Sequence, residues 1–157
     1  MCTADEFDDL IRKRAIPVKA FLLDQSVLAG VGNLYADEIL YQAKIHPSQY
    51  TQTLTDVEIT QVYNAVVDVM ETACNVNADS SQFPDTWLFH HRYNGKKKSK
   101  KAPTLPDGSL IEFETVGGRT SAFVPSQQIL REGESTKKKS TPTKKKTTKK
   151  RKAEESE

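Results

Sequence analysis

The sequence predicts a mainly α-helical domain closed by a C-terminal β-hairpin and followed by a disordered basic tail. Three observations carry this. Apolar residues recur at three-and-four spacing along most of the chain up to Asn75, as buried helix faces require. Two alternating segments flank Gly117-Gly118 between Leu110 and Val124, the mark of a hairpin. From Arg131 onward no aromatic or aliphatic side chain occurs beyond Ala153, so that stretch cannot offset its ordering entropy.

Thr3 and Glu6 form a capping box that opens a first helix through Phe7, Leu10 and Ile11. Arg12-Lys13-Arg14 closes it, where cations suit the helix dipole. Pro17 starts the next helix, since a missing N–H costs nothing there. Residues 18–47 then read as two helices joined by a glycine-bearing turn. Phe21, Leu22, Leu23 and Leu28 precede the break at Gly30-Val31-Gly32-Asn33, and Leu34, Ile39, Leu40 and Ala43 follow it at helical spacing. Glycines before a helix permit a tight turn and leave the first amide N–H groups bare, which suits an anion. The same spacing also fits an ordinary structural turn between packed helices.

Thr55 with Glu58 is a second capping box, opening the longest helix, which runs to about Asn75. Val57, Ile59, Val62, Val66, Val67, Val69 and Met70 form its apolar stripe and read as core, with spacing outweighing their β-branched character. Residues 77–84 are a linker, and Trp87-Leu88-Phe89 an apolar anchor. His90-His91 has no Cys or carboxylate partner at ligand spacing, so it reads as a packed or surface pair rather than a metal site. The lysines at 96–101 form an exposed basic loop, either solvated or on phosphates. Residues 110–116 and 120–124 pair as a hairpin, placing Arg119 near its tip, where a guanidinium can fork onto a phosphate.

The totals narrow the function. A chain of 157 residues holds one domain and a tail. Its net charge of +2 hides an asymmetry: residues 131–157 carry 11 Lys/Arg against 5 Asp/Glu, leaving 12 basic and 16 acidic residues in 1–130. The folded part is therefore not a uniformly basic nucleic-acid binder, and any DNA affinity comes from local placement of charge. Cys2 and Cys74 are far apart and form no CxxC pair, which excludes a cysteine zinc site and a disulfide framework. The expectation is reduced thiols in an intracellular, soluble protein, with an acidic N-terminus unlike a signal peptide and no apolar run of membrane-spanning length. Within the tail, residues 144–152 read as a nuclear-import tract that also binds DNA nonspecifically; a plain solubility tail is the alternative.

Lys19-x-x-Leu-Leu-Asp24-Gln25, then Gly30-Val31-Gly32-Asn33-Leu34-Tyr35-Ala36-Asp37-Glu38-Ile39-Leu40 and Ile45-His46-Pro47, resemble the helix–two-turns–helix of the formamidopyrimidine-DNA glycosylase and endonuclease VIII family. Gly117-Gly118-Arg119-Thr120-Ser121-Ala122-Phe123-Val124-Pro125 resembles the end of that family's zinc-finger hairpin. Where bacterial members place zinc-binding cysteines, this chain has Lys and Pro-type residues, so it resembles the zincless finger of the plant and fungal branch. The resemblance covers about residues 4–130. It implies three parts: a helix–two-turns–helix DNA-binding domain at 1–76, a zincless-finger region at 77–130, and the tail at 131–157.

The resemblance further implies a base-excision-repair protein that grips duplex DNA carrying an oxidised base or abasic site, expected to be a monomer, nuclear by its Lys-rich tract, with no cofactor and no metal. Asn33 and Arg119 would hold phosphates flanking an everted nucleotide, and Lys19 would face the same DNA. Gly30 and Gly32 would let backbone approach it closely. The family's nucleophile is an N-terminal proline amine beside a catalytic glutamate, used to form a Schiff base. This chain begins Met1-Cys2-Thr3-Ala4, and no residue, Cys2 and Lys19 included, replaces that pair convincingly. The expectation is thus the DNA-binding half of a glycosylase/abasic-site lyase; the alternative is a non-catalytic stand-alone binder of damaged DNA. A chromatin- or ribosome-associated protein driven by the lysine tail is a third reading.

Overall fold

The computed structural model describes residues 3–91 and 103–131. Cys2, the lysine loop at 96–101 and the tail from 132 lie outside the described residues. The order is α1 (Ala4–Arg12), α2 (Val18–Leu23), α3 (Asn33–Ala43), α4 (Asp56–Asn75), β1 (Glu112–Val116) and β2 (Arg119–Phe123), with short 3₁₀ turns at Thr51–Thr53, Ser80–Gln82 and Leu88–His90. The described part is mostly helical with one two-stranded antiparallel hairpin.

Both capping boxes form reciprocally. Thr3 accepts from the Glu6 amide at 3.2 Å while Glu6 accepts from the Thr3 amide at 3.0 Å; Thr55 and Glu58 repeat this at 3.2 and 3.1 Å. Each satisfies two donors that a helix start would otherwise leave bare. Helix α2 stops at Leu23, short of Leu28, which the sequence had placed in the helical run. Asp24 causes the stop, because its carboxylate accepts from the amide and hydroxyl of Ser26 and so offers the backbone a local alternative to helix. Gln25 then staples the turn, accepting from the Gly30 amide at 3.1 Å and donating to the Val31 carbonyl at 2.9 Å.

The main core joins Phe7 and Ile11 of α1, Phe21 and Leu22 of α2, Ile39 and Leu40 of α3, and Ile59, Val62, Val66 and Val69 of α4, with Phe83 and Trp87 closing one end. Each large side chain so buried contributes about 1.5–3 kcal/mol. Val57 departs from the expected stripe and is 67% exposed. It stands two residues before Ile59, about 200° around the helix from the buried face. A smaller cluster of Leu88, Leu105, Ile111, Ala122 and Val124 supports the hairpin.

The hairpin pairs Val116 with Arg119 and Glu112 with Phe123. Its two-residue loop is Gly117-Gly118, with φ of +60° and +77°, the left-handed pair that a tight hairpin turn needs. Arg119 is therefore the first residue of β2 rather than the last of the turn. Successive residues 121–124 are all buried, because both faces of β2 are covered. Ala122 and Val124 join the small cluster, while Phe123 packs on the His46 ring at 4.5 Å. Ser48 Oγ donates to Glu114 at 2.7 Å and ties β1 to the segment after α3.

Candidate nucleic-acid interface

The site forms where the start of α3 meets the hairpin. Gly32 is the N-cap of α3, and no side chain caps the first turn. The amide donors of that turn therefore lack intrahelical partners and face outward with the positive end of the helix dipole. The two glycines before α3 differ in what they require. Gly30 adopts φ +87°, a conformation that favours glycine. Gly32 has φ −87°, open to any residue, but a Cβ there would meet nothing within 4 Å. Its side of the backbone is bare.

Asn33 is the first residue of α3, and its Nδ2 donates to the Thr120 carbonyl at 3.0 Å. The amide thus bridges helix and hairpin. Its Oδ1 is buried without a hydrogen-bond partner. Arg119, next to Thr120, is exposed, and its guanidinium pairs with no side chain among the described residues. Both residues line one cavity of about 420 Å³, shared with Gly32, Tyr35, Glu38 and an aromatic wall of Phe83, Trp87 and Phe89. Phe83 meets Trp87 at 4.8 Å and Phe89 at 5.5 Å between ring centroids. Apolar walls with a few converging polar groups are what ligand sites have in common.

Glu38 is the acid in this wall. Burial pushes its carboxyl above the ordinary range, opposed by hydrogen bonds from Gln42 and from backbone amides that include Phe89. The Gln42 and Phe89 bonds are both 3.1 Å. A larger groove of about 690 Å³ lies between the turn after α2 and α4, lined by Val27, Val31, Val66, Met70 and Cys74. It gathers no comparable donors, so the smaller cavity is the better candidate.

Lys19, which the resemblance implies faces the DNA, has a fully buried side chain. Lys19 Nζ lies 2.6 Å from Asp37 Oδ1 and donates to the Thr120 carbonyl at 3.1 Å. Enclosed by these partners, it does not line the cavity that Asn33 and Arg119 share. Asp37, missed as a site residue by sequence reasoning, accepts from the Ala122 amide at 3.1 Å through Oδ2. The available signal was its place four residues after Asn33, on the same side of the helix. Of the histidine pair, His90 packs behind the aromatic wall, its ring 5.4 Å from that of Phe89 and its Nε2 2.9 Å from the Phe83 carbonyl, while His91 Nε2 is 3.0 Å from the carbonyl of Asp85.

Comparison with known proteins places this geometry. Residues 1–85 match the family described as formamidopyrimidine-DNA glycosylase H2TH domain. The chain belongs to the formamidopyrimidine-DNA glycosylase family. It is 46% identical over 128 residues to the formamidopyrimidine-DNA glycosylase of Arabidopsis thaliana, covering 82% of this chain and 32% of that protein. With the enzyme of the same name from Pediococcus pentosaceus it shares 36% identity over 132 residues, 77% of this chain and 46% of that one. It thus spans a third to a half of the length of these relatives. Among solved structures, the complex of Lactococcus lactis Fpg with DNA containing an abasic site superimposes with a TM-score of 0.64 at 27% identity, over 81% of this chain and 48% of that one. A complex of a point mutant of the Lactococcus lactis protein with Fapy-dG-containing DNA gives the same TM-score at 28% identity, over 81% of this chain and 48% of that one.

Proposed function

We propose that this chain is the DNA-gripping part of a base-excision-repair glycosylase and abasic-site lyase. A helix–two-turns–helix and a zincless finger hold duplex DNA around a damaged or missing base. The observation that carries the reading is the convergence of Asn33, at an uncapped helix start, and exposed Arg119, across one cavity with an aromatic wall. A base can be acted on only once it leaves the stack, and the extruded form needs its flanking phosphates held. An arginine fork and bare helix-start amides are suited to phosphate oxygens, and aromatic rings offer a face to an unstacked base. The zincless reading is supported by the apolar cluster of Leu105, Ile111, Ala122 and Val124 that braces the hairpin.

A second reading is a stand-alone binder of abasic DNA that does not cut it. The burial of Lys19 against Asp37 favours it, since an enclosed amine is not placed to attack a sugar carbon.

Equilibrium binding to a duplex with one abasic site tests both readings. Asn33→Ala and Arg119→Ala should each weaken binding by about tenfold, the equivalent of one charge-assisted hydrogen bond. Unchanged affinity of Arg119→Ala would remove the hairpin contact.

A further inference from the structure

Two charged side chains at this interface have almost no exposed surface. Lys19 projects from α2 and Asp37 from α3, with side-chain exposures of 0% and 1%. Together they hold two alternate residues of β2. Lys19 Nζ donates to the Thr120 carbonyl at 3.1 Å, and Asp37 Oδ2 accepts from the Ala122 amide at 3.1 Å. The Thr120 carbonyl also receives Asn33 Nδ2 at 3.0 Å. Arg119 is the residue next to it in the chain. One carbonyl therefore links Asn33, the ion pair and the strand that carries Arg119.

We propose that the Lys19–Asp37 pair positions the hairpin, fixing the distance between Asn33 and Arg119 so that both reach phosphates on either side of an extruded nucleotide. The inference rests on reading this surface as a grip on damaged DNA. A buried ion pair is a poor means of adding stability, because desolvation offsets its Coulomb attraction. It is a good means of fixing place. Charges in a dry site must keep their partners, so a hairpin shift that broke these hydrogen bonds would strand an uncompensated group. An apolar contact would tolerate the same slide. The tip has its own mount, where Gly117 lies so close to α2 that a Cβ would come within 3.2 Å of the Ala20 Cβ. Arg119 stands between the two mounts.

The test is equilibrium binding of the full 157-residue chain to a duplex with one tetrahydrofuran abasic analogue and to the same duplex undamaged. The variants are Lys19→Met, Asp37→Asn and the double Lys19→Met/Asp37→Leu, each with and without Arg119→Ala. Positioning lowers the ratio of abasic to undamaged affinity by about tenfold in both single variants, although they change charge in opposite directions. If net charge governed instead, Lys19→Met would weaken binding and Asp37→Asn would strengthen it; that outcome overturns the proposal. In the Arg119→Ala background the same changes should cost less than about twofold, because the pair acts through Arg119. Full additivity overturns it.

The double variant leaves no uncompensated charge and decides the matter if a single variant fails to melt cooperatively. A folded double variant with wild-type preference for the abasic duplex overturns the positioning role alone. A wild-type chain with no such preference overturns the grip reading, and this inference with it.

Discussion

Burial pushes the Glu38 carboxyl above the ordinary carboxylate range, although Gln42 and backbone amides including Phe89 donate to it and pull the other way. The folded state therefore holds that proton more tightly than the unfolded chain. Stability from this group is fully present below the unfolded pKa and is lost as pH rises through the folded one. Glu38→Gln keeps an acceptor for the Phe89 amide and removes the titration. Melting temperatures taken from pH 4 to pH 8 should show the variant gaining on wild type as pH rises, within the window between the two pKa values. A constant difference across that range would mean the carboxyl does not titrate in the folded state as its burial implies. At this scale the sequence was uneven. Asn33 and Arg119 each follow glycines that mark a turn, and the structure sets both on one cavity. The burial of Lys19 depends on a partner eighteen positions away, and no local pattern reports that.

Among the elements, the helix starts were the most legible. A capping box is a local device, complete within four residues, and both were found where Thr3 and Thr55 announced them. Ends depend on competition. Asp24 ended α2 early through Ser26, and the exposure of Val57 followed from which face of α4 met the core. The hairpin was legible from Gly117-Gly118, but its burial on both faces was not, since that needs α3 and the 103–111 segment in place. The turn offers a controlled test of docking. Gly117 and Gly118 both have positive φ, but only at Gly117 would a Cβ strike α2, at Ala20. Alanine at either position carries about 1–2 kcal/mol of backbone strain. Thermal melts should place Gly117→Ala below Gly118→Ala, with the extra loss measuring the contact with α2. Equal melting temperatures would show that the tip is not pressed against the helix.

For the whole molecule, charge and chemistry point the same way. Residues 1–130 carry more acid than base, and the surplus of lysine lies in 131–157, so phosphate binding by the folded part must come from a few placed donors. Few phosphate contacts give a shallow salt dependence, each adding about 0.9 to the slope of log K against log salt. Arg119→Ala should reduce that slope by about one. The same placement bears on bond cleavage. Schiff-base chemistry at an abasic site needs a neutral amine within reach of the sugar C1′. Lys19 is enclosed beside Asp37 and does not line the cavity that Asn33 and Arg119 share. Lys44 lies 4.1 Å over the Tyr41 ring and donates to Gln127, and it is not among the residues lining the cavity that Asn33 and Arg119 share. Borohydride added to this 157-residue polypeptide with abasic duplex should trap no covalent adduct through either amine, while gel-shift shows the complex forming under the same conditions. A trapped adduct that persists in Lys19→Met would place the nucleophile elsewhere in the chain and sink the stand-alone binder reading. An adduct lost in that variant would show that the buried amine opens to DNA, against the positioning role argued for it.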